Sequence, residues 1–540
     1  MSAAWTTILL PLLAAAVIAF SPSKMAKWIA LAATGVVLAA TLRLVVGFHD
    51  WGNGDFQSES EAIRFLPEFG ISLSLGYDSV ALVMALLNAV LMPLCVLGSF
   101  SAIKDRQREY YAWFMVLHAS LMLAFASRDA ITFYVGYEFT LVPMVFLIAI
   151  WGGPERRAAA TKYFLFTFFG SIFLLGSLLW LGAQMRESTG AWNFDLDAMI
   201  AFAQKLPADT QWWLFLCLGL GFAVKVPIFQ LHTWLPLAHD QAPTGGSVIL
   251  AGTLLKLGTY GLFRIALPAA PEGAVALAPL WAILCICAVV YASLICWVQR
   301  DVKRLVAYSS IGHLALCVLG LFAFNIIGAE GSVYYMVNHG LSTGAMFLCI
   351  GMIYERYHTK DMERLGGLAK RMPVWAFFFG LFTFASLGLP GLNGFVGEFL
   401  CLMGTFVADA KSGVDNYPGV LGPNYAFIAA SGLVLAAMYL LIMLGKMIWG
   451  PLREPHDDGH HEPSGLSPDL NWREIGILTP LAVLCLWLGL APGFVLESLE
   501  PACTRMLAPF PAIVQAQHDA AATQGDAVAV ADSTTAEAVR

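Results

Sequence analysis

Fourteen stretches of mainly apolar residues are strung along this chain of 540 residues, each near the length that crosses a bilayer as a helix. They run over 3–20, 27–48, 78–102, 110–127, 131–151, 160–184, 211–240, 246–268, 274–298, 303–324, 330–353, 374–404, 425–448 and 475–496. Hydrophobic residues make up 59% of the chain and charged residues 12%, against roughly 45–50% and 25% in soluble domains. Mean hydropathy is +0.71. No water-soluble core hides that much apolar surface behind so few charges, so the solvent is lipid. In lipid the backbone must satisfy its own hydrogen bonds, which makes the expected fold all-α and polytopic. A net charge of −7 with no basic tail excludes a nucleic-acid partner.

The first apolar run has no positive charge before it, and Lys24 and Lys27 follow it. It reads as a retained helix with its N-terminus outside rather than a cleaved leader. Nineteen lysines and arginines fall on the side of the loops after odd-numbered helices and nine on the other. By the positive-inside rule this predicts fourteen helices with both termini outside. Residues 49–77 are expected to form a polar outside loop and 449–473 a polar inside loop. The latter holds His456, Asp457, Asp458, His460 and His461. That cluster reads as a solvated loop, since nothing in it supplies a fixed tetrahedral frame for a metal. Residues 511–540 are rich in Ala, Gln, Asp and Thr, a composition expected of a disordered tail. Nine of the ten cysteines lie in apolar stretches, with no C-x-x-C anywhere, so they read as small packing residues rather than cluster ligands.

Two spans are interrupted alike. In the seventh, Phe222-Ala-Val-Lys-Val-Pro227 runs into Leu231-His-Thr-Trp-Leu-Pro236. In the twelfth, Gly388-Leu-Pro-Gly-Leu-Asn-Gly394 precedes Phe395-Val-Gly-Glu398. Proline removes a backbone donor and clashes with the turn before it. The breaks are five helices apart, so helices 4–8 and 9–13 pair as two five-helix units, and the odd number inverts the second. That is an inverted repeat, an architecture common in transporters. The expected organisation is helices 1–3 in 1–108, the first repeat in 109–268 and the second in 269–448. The inside loop 449–473, the last helix with a C-terminal segment in 474–510, and the tail 511–540 follow.

A charge at the bilayer centre costs roughly 2.5–3.5 kcal/mol or more. Four stand deep in these spans: Glu138 in helix 5, Lys225 at the break of helix 7, Lys256 in helix 8 and Glu398 beyond the break of helix 12. His232, His313 and His339 accompany them in helices 7, 10 and 11, with His239 near the inner end of helix 7. His118 in helix 4 reads as a core histidine. A single Glu–Lys pair could lock two helices together, but that leaves the second lysine, the second glutamate and the histidines unexplained. A chain of titratable groups at similar depth reads as a proton path. Burial disfavours a charged lysine and a nearby carboxylate restores it. At an effective dielectric of about 20 such a pair is worth roughly 4 kcal/mol at about 4 Å and roughly 2.4 kcal/mol at about 7 Å. The difference of about 1.7 kcal/mol changes proton occupancy more than tenfold. Histidine titrates near working pH and hands protons on. Gly366-Gly367 is a turn signal and no phosphate loop, haem pair or flavin fingerprint is present, so the energy has to come from elsewhere.

Several runs resemble the antiporter-like subunits of respiratory complex I, a family that includes subunits of Mrp cation/proton antiporters. They are Ala223-Val-Lys225-Val-Pro, Leu231-His-Thr-Trp-Leu-Pro236 and Gln241-Ala-Pro-Thr-Gly-Gly-Ser-Val-Ile-Leu-Ala-Gly-Thr-Leu-Leu-Lys256. Tyr137-Glu-Phe-Thr-Leu-Val-Pro143, Lys303-Arg-Leu-Val-Ala-Tyr-Ser-Ser310, Asn338-His-Gly-Leu-Ser342, Gly388 to Glu398 and Pro468-Asp-Leu-Asn-Trp-Arg473 add to them. Glu398 stands where sister subunits typically carry lysine, and there is no long C-terminal lateral helix of the kind the largest sister has. The resemblance implies that Glu138 modulates Lys225, the proton-loading lysine of a first half-channel. Lys256 passes charge along the axis with His232, His313 and His339 as connectors, and Glu398 leads outward. It implies no cofactor on this chain, with NADH, FMN, iron–sulfur clusters and quinone in partner subunits. It also implies flanking membrane subunits on both sides, in a bacterial inner membrane. One departure stands out: the family usually has Asp after Trp-Leu-Pro, where this chain has Leu237, with Asp240 three residues on. The alternative assignments are an Mrp-type antiporter or membrane-bound hydrogenase subunit, and a non-transporting assembly protein that kept the fold.

Overall fold

The computed structural model describes residues 2–49, 51–52, 54, 56–58, 62–409, 419–455 and 469–519. The His456–His461 cluster and residues 520–540 lie outside them. The chain opens with α1 (Ala3–Phe20) and α2 (Ser23–Val46), then two short antiparallel ribbons. In these β1 (Gln57–Ser58) pairs with β4 (Gly76–Tyr77), and β2 (Ile63–Leu66) with β3 (Ile71–Leu73), Ile63 opposite Leu73. A bundle follows: α3 (Ser79–Ala102), α4 (Gln107–Ala126), α5 (Ala130–Phe139), α6 (Leu141–Trp151), α7 (Arg156–Thr189), α8 (Leu196–Ala203) and α9 (Ala208–Lys225). After it come α10 (Leu235–Gln241), α11 (Thr244–Ile249), α12 (Lys256–Gly261), α13 (Leu267–Ala269), α14 (Pro271–Val298), α15 (Val302–Leu321) and α16 (Ile326–Tyr357). The second half ends with α17 (Pro373–Ser386), α18 (Asn393–Val407), α19 (Pro423–Ile448), α20 (Trp472–Leu490) and α21 (Gly493–Leu507).

All fourteen predicted spans are helical, whole or broken. Eleven of the described helical segments are long and apolar enough to cross a membrane, by length and composition. The other three are α4, which begins Gln107-Arg-Glu109, and the seventh and twelfth spans, which are split. The split spans break where proline and glycine predicted. The first gap lies between α9 and α10, just after Lys225, and the second between α17 and α18, just before Glu398. Protein groups cover the freed backbone: Trp234 Nε1 donates to the Val224 carbonyl across the first gap at 3.0 Å. In the second, Gly388 (φ +77°) and Gly391 (φ +93°) take the left-handed turns that residues with a Cβ resist.

Two irregularities go beyond the sequence reading. The fifth span is not one helix over 131–151 but two, meeting at Thr140, two residues after Glu138. Pro143 cannot donate to the Phe139 carbonyl, which weakens the ladder at that point. The eighth span carries wide π-turns at Leu250–Leu254 and Leu262–Ala266 on either side of the α12 turn that begins with Lys256. Such turns recur at functional sites because they displace one residue from the helical register.

Loops predicted on one side meet at one end of the bundle. At the end predicted to face inside, Arg356 grips Glu474 in a buried bidentate pair (2.7 and 3.1 Å), and Asp240 is held by Arg304 and Lys360. The Pro468–Arg473 motif proves structural there: Asp469 accepts from the N–H groups of Val374 and Trp375, and Asn471 with Glu474 forms a capping box. At the opposite end Arg264 pairs with Asp78 and Arg128 with Asp197. Asp129 caps α5 while accepting from Ser72 N–H of the ribbons. Of residues 511–540, expected as a tail, 511–519 are helical, in a helix whose Phe510 stacks on Phe324. All ten cysteines are free. The segment α11–α13 together with α15 and α16 is almost wholly enclosed, whereas α1, α2, α7, α19 and α20 turn most of their surface outward. The enclosed helices carry Lys256, His313, Tyr335 and His339.

Candidate functional site

Lys225 ends α9 at the first gap and is buried among α5 and α6. Its Nζ donates to the Tyr137 carbonyl at 2.8 Å and to Thr140 Oγ1 at 3.0 Å, and stands over the Tyr137 ring, 3.6 Å from its centroid. The break at Thr140 presents these acceptors. Glu138, half-buried beside Ser171 of α7, feels the lysine charge but makes no contact ion pair with it among the described residues. The predicted partnership therefore acts across space, and the direct ligands of the ammonium are a carbonyl, a hydroxyl and a ring face.

The helix bearing Lys256 packs tightly on α9. A side chain on Gly258 would run into the Phe222 carbonyl and Val226, and one on Gly261 into the Phe222 ring. Lys256 is fully buried between the two π-turns. Its Nζ donates to the Ala251 carbonyl, which the first π-turn exposes, and meets His339 Nδ1 at 2.6 Å. The His339 ring lies 5.7 Å from the His313 ring. His313 Nδ1 is 2.5 Å from the Tyr335 hydroxyl, which donates to Glu398 Oε1 at 2.5 Å. The direct separation of His313 Nδ1 and Glu398 Oε1 is 3.5 Å. Lys256, His339, His313, Tyr335 and Glu398 thus form one buried line through α12, α16, α15 and α18. At its far end the Glu398 carboxylate rests against Gly388 of the second gap, where a Cβ would collide with Oε2.

Two histidines depart from the expected arrangement. His232, predicted as a connector, stacks between Phe229 and Tyr291 and bonds to neither lysine among the described residues. His239 is fully buried, stacked at 4.7 Å on Phe347, and neither ring nitrogen has a protein partner among the described residues. It lies within the fields of both Lys303 and Lys256. Lys303, in the first turn of α15, donates to the Ala242 carbonyl at 2.6 Å. It lines an inner cavity of about 1130 Å³ together with Asp240, Arg304, Glu355 and Lys360. Asp240 is held here by Arg304 Nε at 3.0 Å and Nη2 at 2.8 Å and by Lys360. His118 is buried in α4 without a protein partner among the described residues, apart from this line.

Sequence reasoning missed Tyr335, Thr140 and Ser171. A hydroxyl carries no charge to stand out in an apolar span. Tyr335 sits four residues before His339 on one helix face, which is the only signal that could have raised it. Among the described residues no group of three or more His, Cys, Asp and Glu side chains forms a metal site.

Broken spans at five-helix spacing and a buried line of lysine, histidine and carboxylate define an antiporter-like membrane subunit. The chain belongs to the NADH:quinone oxidoreductase/Mrp antiporter transmembrane family, whose pattern matches residues 127–414. NADH-quinone oxidoreductase subunit M of Rhodobacter capsulatus is 37% identical over 510 residues, 92% of this chain and 95% of that relative. A chain of respiratory complex I from Thermus thermophilus with bound NADH superposes with a TM-score of 0.81 at 29% identity, covering 94% of this chain and 99% of that one. The Mrp complex from Dietzia sp. DQ12-45-1b shares the fold, with a TM-score of 0.77 at 21% identity, over 93% of this chain and 51% of that chain.

Proposed function

We propose that this chain is the M-type antiporter-like subunit of a NADH–quinone oxidoreductase and carries protons across the membrane while quinone is reduced in other subunits. The observation that bears most weight is the buried line in which Lys256 meets His339 and, across a ring separation of 5.7 Å, His313 meets Tyr335 and Glu398. A buried polar line of this length is costly for a purely structural bundle. The similarity to subunit M of Rhodobacter capsulatus over nearly both whole chains supports the M-type assignment. Lys225 loads a proton at the first gap under the influence of Glu138. Lys256 passes charge along the axis, and Glu398 delivers it toward the outer side at the second gap. Partner subunits flank it in the bacterial inner membrane and supply NADH oxidation, FMN, iron–sulfur clusters and quinone, with both termini of this chain outside.

The test uses the assembled complex in proteoliposomes. Lys225→Ala and Lys256→Ala should each lower NADH-driven proton translocation about tenfold or more while the complex still assembles. Near-normal pumping in both overturns the reading. Co-purification with cation-antiporter subunits in place of NADH-oxidising ones would support the Mrp-type alternative.

A further inference from the structure

The Tyr335 hydroxyl stands 2.5 Å from both His313 Nδ1 and Glu398 Oε1. It is fixed there: a Cβ on Gly397 would strike the Tyr335 backbone and Cβ, so α18 lies directly against the tyrosine. The direct His313–Glu398 separation, 3.5 Å, is at the outer limit of a hydrogen bond. The other titratable groups beside the hydroxyl are the thiols of Cys317 on α15 and Cys401 on α18.

We propose that Tyr335 is a one-proton relay between His313 and Glu398 and that its single hydroxyl proton sets the tautomer of the histidine. This rests on the proton-carrying reading above. A phenol has one proton and two lone pairs. An ionised Glu398 is an acceptor only, so it takes the hydroxyl proton. His313 Nδ1 must then donate to the oxygen, which leaves Nε2 bare. Nε2 has no protein partner among the described residues. A proton arriving there from the His339 side makes an imidazolium. Next the Nδ1–H bond breaks as a new O–H forms on Tyr335, and the original O–H breaks as an O–H forms on Glu398 Oε1. The products are neutral His313 protonated on Nε2, neutral Tyr335 and neutral Glu398. One proton has moved and the tyrosine ends unchanged. When Glu398 discharges outward, its carboxylate again accepts the hydrogen bond of the Tyr335 hydroxyl, whose O–H bond stays intact. Phenylalanine can perform neither step.

The test compares three variants of the assembled complex in proteoliposomes, reading proton translocation per NADH oxidised across pH. Tyr335→Phe should lower translocation about tenfold or more. Incorporation of 3-fluorotyrosine at 335 keeps both hydrogen bonds but makes the phenol more acidic. It should shift the pH profile of pumping. Wild-type pumping in Tyr335→Phe overturns the relay. So does a fluorotyrosine variant with the wild-type profile, since a tyrosine that only positions Glu398 would not respond to its own acidity. Glu398→Gln separates the two levels of inference: impaired pumping there with normal pumping in Tyr335→Phe defeats the relay alone. Normal pumping in Glu398→Gln defeats the underlying reading and the relay with it.

Discussion

The Lys225 ammonium is held by the Tyr137 carbonyl, 2.8 Å away, and not by the Glu138 carboxylate that follows it in sequence. The helix break at Thr140 is what makes this possible, because an intact α-helix would commit that carbonyl to the residue four positions on. A carbonyl and a hydroxyl solvate the charged lysine without neutralising it. The carboxylate half a turn away tunes it by field alone. Small movements of α5 against α9 can therefore alter the charge–charge distance without breaking a contact ion pair, which keeps the barrier to switching low.

Glu138→Gln and Thr140→Val should separate these contributions. The glutamine removes the field and leaves the direct ligands, so pumping should fall about tenfold or more. The valine removes one hydrogen bond to a charged group, worth about 1.5–3 kcal/mol, and keeps the shape. It should reduce pumping less and favour the uncharged lysine. Initial rates of NADH-driven acidification in inverted vesicles, across pH, check both. Equal effects would mean that the carboxylate has no role beyond local structure.

Gly388 and Gly391 both have positive φ in the second gap, but they meet different surroundings. A Cβ at 388 would collide with the Glu398 carboxylate, whereas at 391 the nearest atom, Leu490 Cδ2, is 4.0 Å away. Gly391→Ala should therefore cost only the backbone term, about 1–3 kcal/mol. Gly388→Ala adds displacement of Glu398 from Tyr335. Comparing thermal stability with pumping in the two variants tests this. Both should lose stability, and only the 388 variant should lose most of its pumping.

The spans, their breaks and the four deep charges were legible because lipid makes every charge and every proline conspicuous. Lys225, Lys256 and Glu398 each stand at a backbone irregularity. Two of these, the first and second gaps, are written in Pro and Gly. The π-turns around Lys256 are not, since Leu250-Ala-Gly-Thr-Leu254 has no residue that forbids an ordinary α-turn. The first of them packs against α16 and the second against α9, contacts that no local pattern announces. The break after Glu138 was written in Pro143, but a single proline five residues beyond Glu138 is weak punctuation in an apolar helix. In sequence His232 reads as a connector ahead of His239, although both lie in the same short segment and nothing in it shows where either ring packs. Only the fold turns one toward Tyr291 and the other toward Phe347.

Arg356 and Glu474 form the most buried contact ion pair at the inner end, with side chains only 5% and 2% exposed. Removing one partner leaves an uncompensated charge, a loss of about 3–5 kcal/mol. Arg356→Ala should accordingly cut the yield of assembled complex or lower its melting temperature. Replacing both residues with apolar ones of similar size should recover stability relative to the single variant. Thermal unfolding of the purified complex, followed by retention of this subunit, reads the difference. A single variant as stable as wild type would show that the pair is solvated rather than buried.

His239 is the group best placed to bring protons from the inner cavity to Lys256. It lies in the fields of Lys303 at the cavity wall and Lys256 on the axis, and its stacking on Phe347 leaves both ring edges clear of protein partners among the described residues. His239→Phe preserves an aromatic ring on Phe347 and removes both nitrogens, so it should lower proton translocation about tenfold or more without loss of assembly. His232→Phe makes the same chemical change in a ring packed on Phe229 and Tyr291, away from the two lysines. It should retain most of the activity. The measurement is proton translocation per NADH oxidised in matched proteoliposomes. A larger loss at 232 than at 239 would move the uptake route to the Tyr291 side and remove His239 from it.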